Sequence, residues 1–109
     1  MTFENSFVTY SLCCPSRVTL LTGQYAHNHG VVANNPPHGG YPAFKRKVPA
    51  SHTLPVDLQR AGYRTAYVGK FLNFYGEQPY SDPLDSRPGG RTGRRWSART
   101  RPTTSTATR

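Results

Sequence analysis

Cys13-Cys14-Pro15-Ser16-Arg17-Val18-Thr19-Leu20-Leu21-Thr22-Gly23 holds a helix start, a helix stop and both thiols of the chain. Proline has φ preset near helical values and no N–H to leave orphaned in a first turn, so Pro15 predicts a helix beginning beside Cys13. Gly23 stands where a left-handed C-terminal cap is expected, and Ser16 to Thr22 offer Val18, Leu20 and Leu21 as an apolar face. Cys13 then falls at the positive end of a short helix, where free backbone N–H groups and the macrodipole favour an anion. Arg17, one turn on, can return its guanidinium to the same place. A bare Cys-Cys pair is more commonly two small buried residues than a reactive centre. Adjacent cysteines make no useful cross-link, so no disulfide framework is indicated.

The same stretch fits Cys-x-Pro-Ser-Arg-x-x-x-Leu-Thr-Gly at every fixed position and so resembles the signature of the formylglycine-dependent sulfatases. Gln24-Tyr25-Ala26-His27-Asn28-His29-Gly30-Val31 and Gly62-Tyr63-Arg64-Thr65-Ala66-Tyr67-Val68-Gly69-Lys70-Phe71-Leu72-Asn73 look like sulfatase sequence in the same order and spacing. The resemblance implies that a formylglycine-generating enzyme reads Cys13, Pro15, Ser16 and Arg17 and oxidises Cys13 to an aldehyde. The hydrate of that aldehyde would attack the sulfur of a sulfated small molecule or glycan, with a second oxygen available to expel the sulfate. By the same resemblance Arg17 braces the formylglycine, Lys70 binds the sulfate group, and calcium is the implied metal, with Cys13 as formylglycine among its ligands.

The second block reads as a helix from about Thr53 through Leu54, Val56, Leu58 and Ala61, stopped by Gly62, then a strand from Arg64 to Val68 that delivers Lys70. Ligands of α/β sheets sit at the carboxyl ends of strands, which suits a lysine there. Many arylsulfatases have Gly-Lys-Trp-His at this place, whereas this chain has Gly69-Lys70-Phe71-Leu72-Asn73. That form, with His27-Asn28-His29, is more similar to the N-acetylglucosamine-6-sulfatase branch. Asn73 either replaces part of the histidine's hydrogen bonding or is a turn or cap asparagine. His27 and His29 either line the substrate mouth or pack and cap locally. Metal ligation by the two is disfavoured, since no cysteine or acid stands at zinc-site spacing from them.

The fold these pieces imply is α/β, part of an alkaline-phosphatase-like sulfatase sandwich, with residues 1–85 as a partial catalytic domain and Met1 to Thr9 as the strand and turn that precede the signature. Whole sulfatases carry an Asp-Asp pair for the cation, but Glu4, Asp57, Glu77, Asp82 and Asp85 are scattered single acids. The remaining calcium ligands are therefore expected to be absent from this chain. Gly30 to Pro49 reads as a long loop with Lys45-Arg46-Lys47 solvated. The formal charge of +9 invites a nucleic-acid reading. Its distribution argues against one: residues 1–85 hold seven Lys and Arg against five Asp and Glu, while residues 86–109 hold seven Arg and no acid. That Arg-rich tail, 86–109, is expected to be disordered on composition or to arise from a shifted reading frame. No apolar run approaches the length of a membrane span and no signal peptide is visible. The expectations are therefore a sulfuric ester hydrolase by family, present as a truncated copy, with neither nucleic acid nor membrane as partner. The alternatives are an inactive sulfatase remnant and, less favoured, a small basic nucleic-acid-binding protein.

Overall fold

A computed structural model describes residues 1–49 and 51–80 of the chain. Within them the order of elements is α1 (Cys13–Thr22), α2 (Ala26–His29), α3 (Gly40–Lys47) and α4 (Leu54–Arg60). Helix α1 starts at Cys13, two residues before Pro15, and stops where Gly23 turns left-handed at φ 68°, its N–H donating to the Thr19 carbonyl at 2.8 Å. Its buried stripe is Cys14, Val18 and Leu21, the spacing one helix face requires, with Pro15 beside it. Leu20, expected on that face, points away and is 66% exposed.

The α/β sandwich is overturned. Among the described residues there is no strand, and the one bridge is a parallel contact between Ala33 and Gly39. Arg64 to Val68 does keep the alternation of a strand, with Thr65 and Tyr67 half-buried and Arg64, Ala66 and Val68 exposed. A strand also needs a bridging partner for its N–H and C=O groups, and no described segment forms a β-bridge with this one. Lys70 is accordingly carried by an irregular loop and not by a strand end. Met1 to Thr9 is likewise irregular and exposed.

The long loop expected from Gly30 to Pro49 contains α3. Its first turn holds Pro42 and its inward face is Tyr41, Ala43 and Phe44. Lys45, Arg46 and Lys47 occupy its last turn, where cations complement the helix dipole. They are exposed, as expected, but two of them are also tied to backbone: Arg46 Nη2 donates to the Pro37 carbonyl and Lys47 Nζ to that of Gly30. Cys14, Val18 and Leu21 of α1, Val31, the α3 face, Val48, Phe71 and Leu72 form a single core. Phe71 sits edge-on to Phe44 and Tyr75, with ring centroids 6.5 and 5.0 Å away, so the segment carrying Lys70 is anchored by its next residue. Helix α4 forms where expected but buries no side chain of its own. No helix among the described residues is long and apolar enough to cross a membrane. Asp82, Asp85 and the Arg-rich tail lie outside the described residues.

Candidate active site

Cys13 is the first residue of α1 and remains partly open to solvent, while Cys14 is fully buried. Arg17 lies one turn further along the same face, the i to i+4 relation that lets side chains meet. Its hydrogen bond holds the Cys13 thiol below the usual cysteine range. The positive charge of Lys70 adds to this, partial desolvation opposes it, and the charge of Arg17 lowers it further. The Arg17 Nη1 is shut off from solvent with no hydrogen-bond partner, a buried cationic donor left over beside the thiol.

Lys70 itself is exposed, and the chain on either side of it is held. Tyr67 donates its hydroxyl to the Lys70 carbonyl at 2.8 Å, and Phe71 and Leu72 are buried. Asn73 donates its backbone N–H to the Cys14 sulfur at 3.3 Å, and its carbonyl accepts from the Tyr41 N–H at 2.8 Å. The Asn73 backbone thus ties the Lys70 loop to α1 and α3, while its side-chain Oδ1 is buried without a partner. Pro15 is buried, and Ser16 makes the first intrahelical bond, its N–H donating to the Leu12 carbonyl at 3.0 Å.

Arg17 thus hydrogen-bonds Cys13 and the charge of Lys70 acts on it, while Asn73 is joined to the neighbouring Cys14. The two histidines are not paired with each other. His29 is buried, its Nδ1 accepting from the Val31 N–H at 3.1 Å and its Nε2 lying 3.2 Å from Thr19 Oγ1. Because Nδ1 accepts, the neutral ring carries its proton on Nε2. Burial, with smaller contributions from His27 and Lys47, depresses its basicity. His27 is exposed and stacked on Tyr25, ring centroids 5.7 Å apart.

Sequence reasoning missed Asn34, which it left in a loop. The Cys14 N–H donates to Asn34 Oδ1 at 2.9 Å. A signal was available: Leu12, at the N-cap, has no side chain able to cap, so an acceptor had to come from elsewhere. Metal chemistry finds no support in the donor set. Among the described residues no three His, Cys, Asp or Glu side chains group together, whereas calcium takes six or more oxygen ligands. The described residues do not fit calcium.

Comparison with known proteins agrees with the signature. The sulfatase family model matches residues 1–104, and the chain belongs to that family. It is 52% identical over 73 residues to a Caenorhabditis elegans homolog of the extracellular sulfatase Sulf-1, covering 67% of this chain and 10% of that protein. An arylsulfatase of Volvox carteri is 46% identical over 79 residues, covering 72% of this chain and 12% of the relative. Human N-acetylglucosamine-6-sulfatase is 43% identical over 77 residues, 70% of this chain and 14% of the relative. The chain therefore spans only about a tenth of the length of these curated relatives. No solved structure matches.

Proposed function

We propose that this chain carries the nucleophile and two anion-facing cations of a sulfuric ester hydrolase, with Cys13 as the precursor of a formylglycine. The observation that carries this reading is the Cys13 thiol itself, at the N-terminus of a ten-residue helix, held below the usual cysteine range by the hydrogen bond of Arg17 and the positive charge of Lys70. The hydrated aldehyde would supply one oxygen to attack sulfur and a second whose deprotonation releases sulfate. As the S–O bond to the leaving group breaks, negative charge grows on the leaving and peripheral oxygens. Donors fixed beforehand lower that barrier most, since nothing has to reorganise during the reaction. Arg17 offers a rigid planar fork with one donor still uncommitted, and Lys70 a compact charge on a flexible stem. These properties suit Arg17 to bracing the nucleophile and Lys70 to following the sulfate.

A formylglycine-generating enzyme is the maturation partner in this reading, recognising Cys13, Pro15, Ser16 and Arg17. The Gly69-Lys70-Phe71-Leu72-Asn73 form and the similarity to human N-acetylglucosamine-6-sulfatase favour a sulfated glycan or a related small sulfated sugar as substrate. His27, exposed just after α1, is available to such a substrate, whereas buried His29 serves by holding the turn that presents His27.

The test is a graft, in which the residues of this chain replace the matching segment of human N-acetylglucosamine-6-sulfatase. The chimera should hydrolyse sulfate esters, Cys13→Ala should abolish turnover, and Lys70→Ala should lower kcat by about 10²–10³-fold, the usual effect of removing one transition-state donor. A folded chimera with formylglycine in place and no turnover would sink the reading. The 109-residue chain alone, with no acidic cluster among its described residues, should not exceed its Cys13→Ala variant even with calcium present.

A further inference from the structure

We infer that Asn34 is a positioning residue for Cys13, acting as a helix cap supplied from a distant loop and as the hub that fixes the Lys70 loop against α1. The inference rests on the reading of Cys13 as the nucleophile. The first N–H groups of a helix have no intrahelical acceptor and are ordinarily capped by the residue just before it. Leu12 cannot do this. Asn34, twenty residues on, places Oδ1 2.9 Å from the Cys14 N–H, one residue from the nucleophile. Its backbone carbonyl lies 4.0 Å from the Cys14 thiol, the outer limit for an S–H donor. The same sulfur accepts the Asn73 N–H at 3.3 Å. Cys14 is therefore clasped between the Asn34 loop and the loop that carries Lys70, with Cys13 on the end of the clasp.

The crowding around this junction shows that it is a built contact. Gly40, at φ +69°, has room for no side chain: a Cβ there would lie 2.9 Å from the Phe74 ring, 3.0 Å from the Asn34 carbonyl and 3.1 Å from that of Asn73. A Cβ on the neighbouring Gly39 would collide with the Ala33 carbonyl. Three stretches of backbone meet where only glycine lets them, and Asn34 belongs to one of them. The cap thus does more than end a helix. It sets the distance between Cys13 and Lys70, which catalysis cannot leave loose.

The experiment uses the full chain with Cys13 left as a thiol, so that neither formylglycine nor turnover enters the readout. A short thiol-to-amine cross-linker is applied and peptide mass spectrometry gives the ratio of Cys13 joined to Lys70 over Cys13 singly modified. The ratio corrects for changes in thiol reactivity. Asn34→Ala should lower it about fivefold, the factor equivalent to the ~1 kcal/mol of a lost N-terminal cap. Asn34→Asp keeps an acceptor oxygen at the positive end of the helix and should restore the ratio, while Asn35→Ala, in the same loop, should leave it unchanged. A wild-type ratio in folded Asn34→Ala, or an Asn34→Asp protein no better than the alanine variant, would overturn the inference. If the alanine variant does not fold, hydrogen exchange in the unmutated chain decides. The Cys14 amide should be protected despite lying in the first turn of α1, and exchange at the rate of a free amide would overturn the inference as surely. None of these outcomes depends on whether the chain cleaves sulfate esters.

Discussion

Helices α1 and α4 were both expected from the same kind of sequence signal, an apolar face closed by a glycine, yet they differ in how much they bury. Helix α1 buries Cys14, Pro15, Val18 and Leu21 against α3 and the segment from Phe71 to Leu72, whereas α4 buries none of its side chains. Leu54, at its first position, is 50% exposed, and Val68, beyond it, is 87% exposed. The difference teaches that a helix signal fixes local conformation and that burial is set by what the rest of the chain brings alongside. Cys13 lies on the packed helix. The segment from Tyr63 to Gly69 leads out of the open one, touches the core through half-buried Tyr67 and rejoins it at Phe71.

If that contrast is real, substitution should separate the two regions sharply. Phe44→Ala removes a ring that is 2% exposed and packed on Tyr41 and Phe71, and is expected to cost about 3–5 kcal/mol in a chemical-denaturation experiment, while Leu54→Ala should stay within about 0.5 kcal/mol. Equal losses would break the comparison. Two left-handed glycines sharpen it at the next scale. Gly62, at φ +89° after α4, has open space around it, so Gly62→Ala should cost only the backbone penalty of about 1–2 kcal/mol. Gly40→Ala adds the clash with Phe74, Asn34 and Asn73 to the same penalty, and should melt clearly lower.

The smallest effect concerns pH. The basicity of His29 is depressed in the folded chain, chiefly by burial, and its neutral ring accepts the Val31 N–H. Above about pH 6.5 the ring is neutral whether the chain is folded or unfolded, and its full contribution is present. As pH falls below that value the unfolded chain takes up the proton first, so stability should decline until the lower, folded-state value is passed and then level off. Denaturation midpoints for the parent and His29→Gln from pH 7.5 down to 5 check this, and parallel slopes for the two would remove His29 as the cause.

The helix ends were legible because they depend on neighbours in sequence: Pro15 and Gly23 mark α1, and Gly62 lies just past the end of α4. The signature named Cys13 and Arg17 and the second block named Lys70, and the charges of Arg17 and Lys70 both act on the Cys13 thiol. What could not be read was pairing. Arg64 to Val68 has the alternation of a strand, but alternation says nothing about whether a second backbone lies beside it. Helix α3 was hidden because Asn34-Asn35-Pro36-Pro37 and Gly39-Gly40 read as loop punctuation, although Tyr41, Phe44 and Val48 already stood at helical spacing. Asn34 escaped for a third reason. A cap delivered from twenty residues away leaves no local pattern beyond a missing one at Leu12.

The central claim, that Cys13 is the nucleophile's precursor and Cys14 its buried support, is tested most directly by co-expression of the chain with a formylglycine-generating enzyme and peptide mass spectrometry across residues 13 to 23. From Cys13 the proline and arginine of the maturation pattern fall at Pro15 and Arg17, whereas from Cys14 the same positions are Ser16 and Val18. The account predicts aldehyde at position 13, an intact thiol at position 14, and loss of the modification in Arg17→Ala. Aldehyde at position 14, or a chain in which neither cysteine is converted, would contradict it.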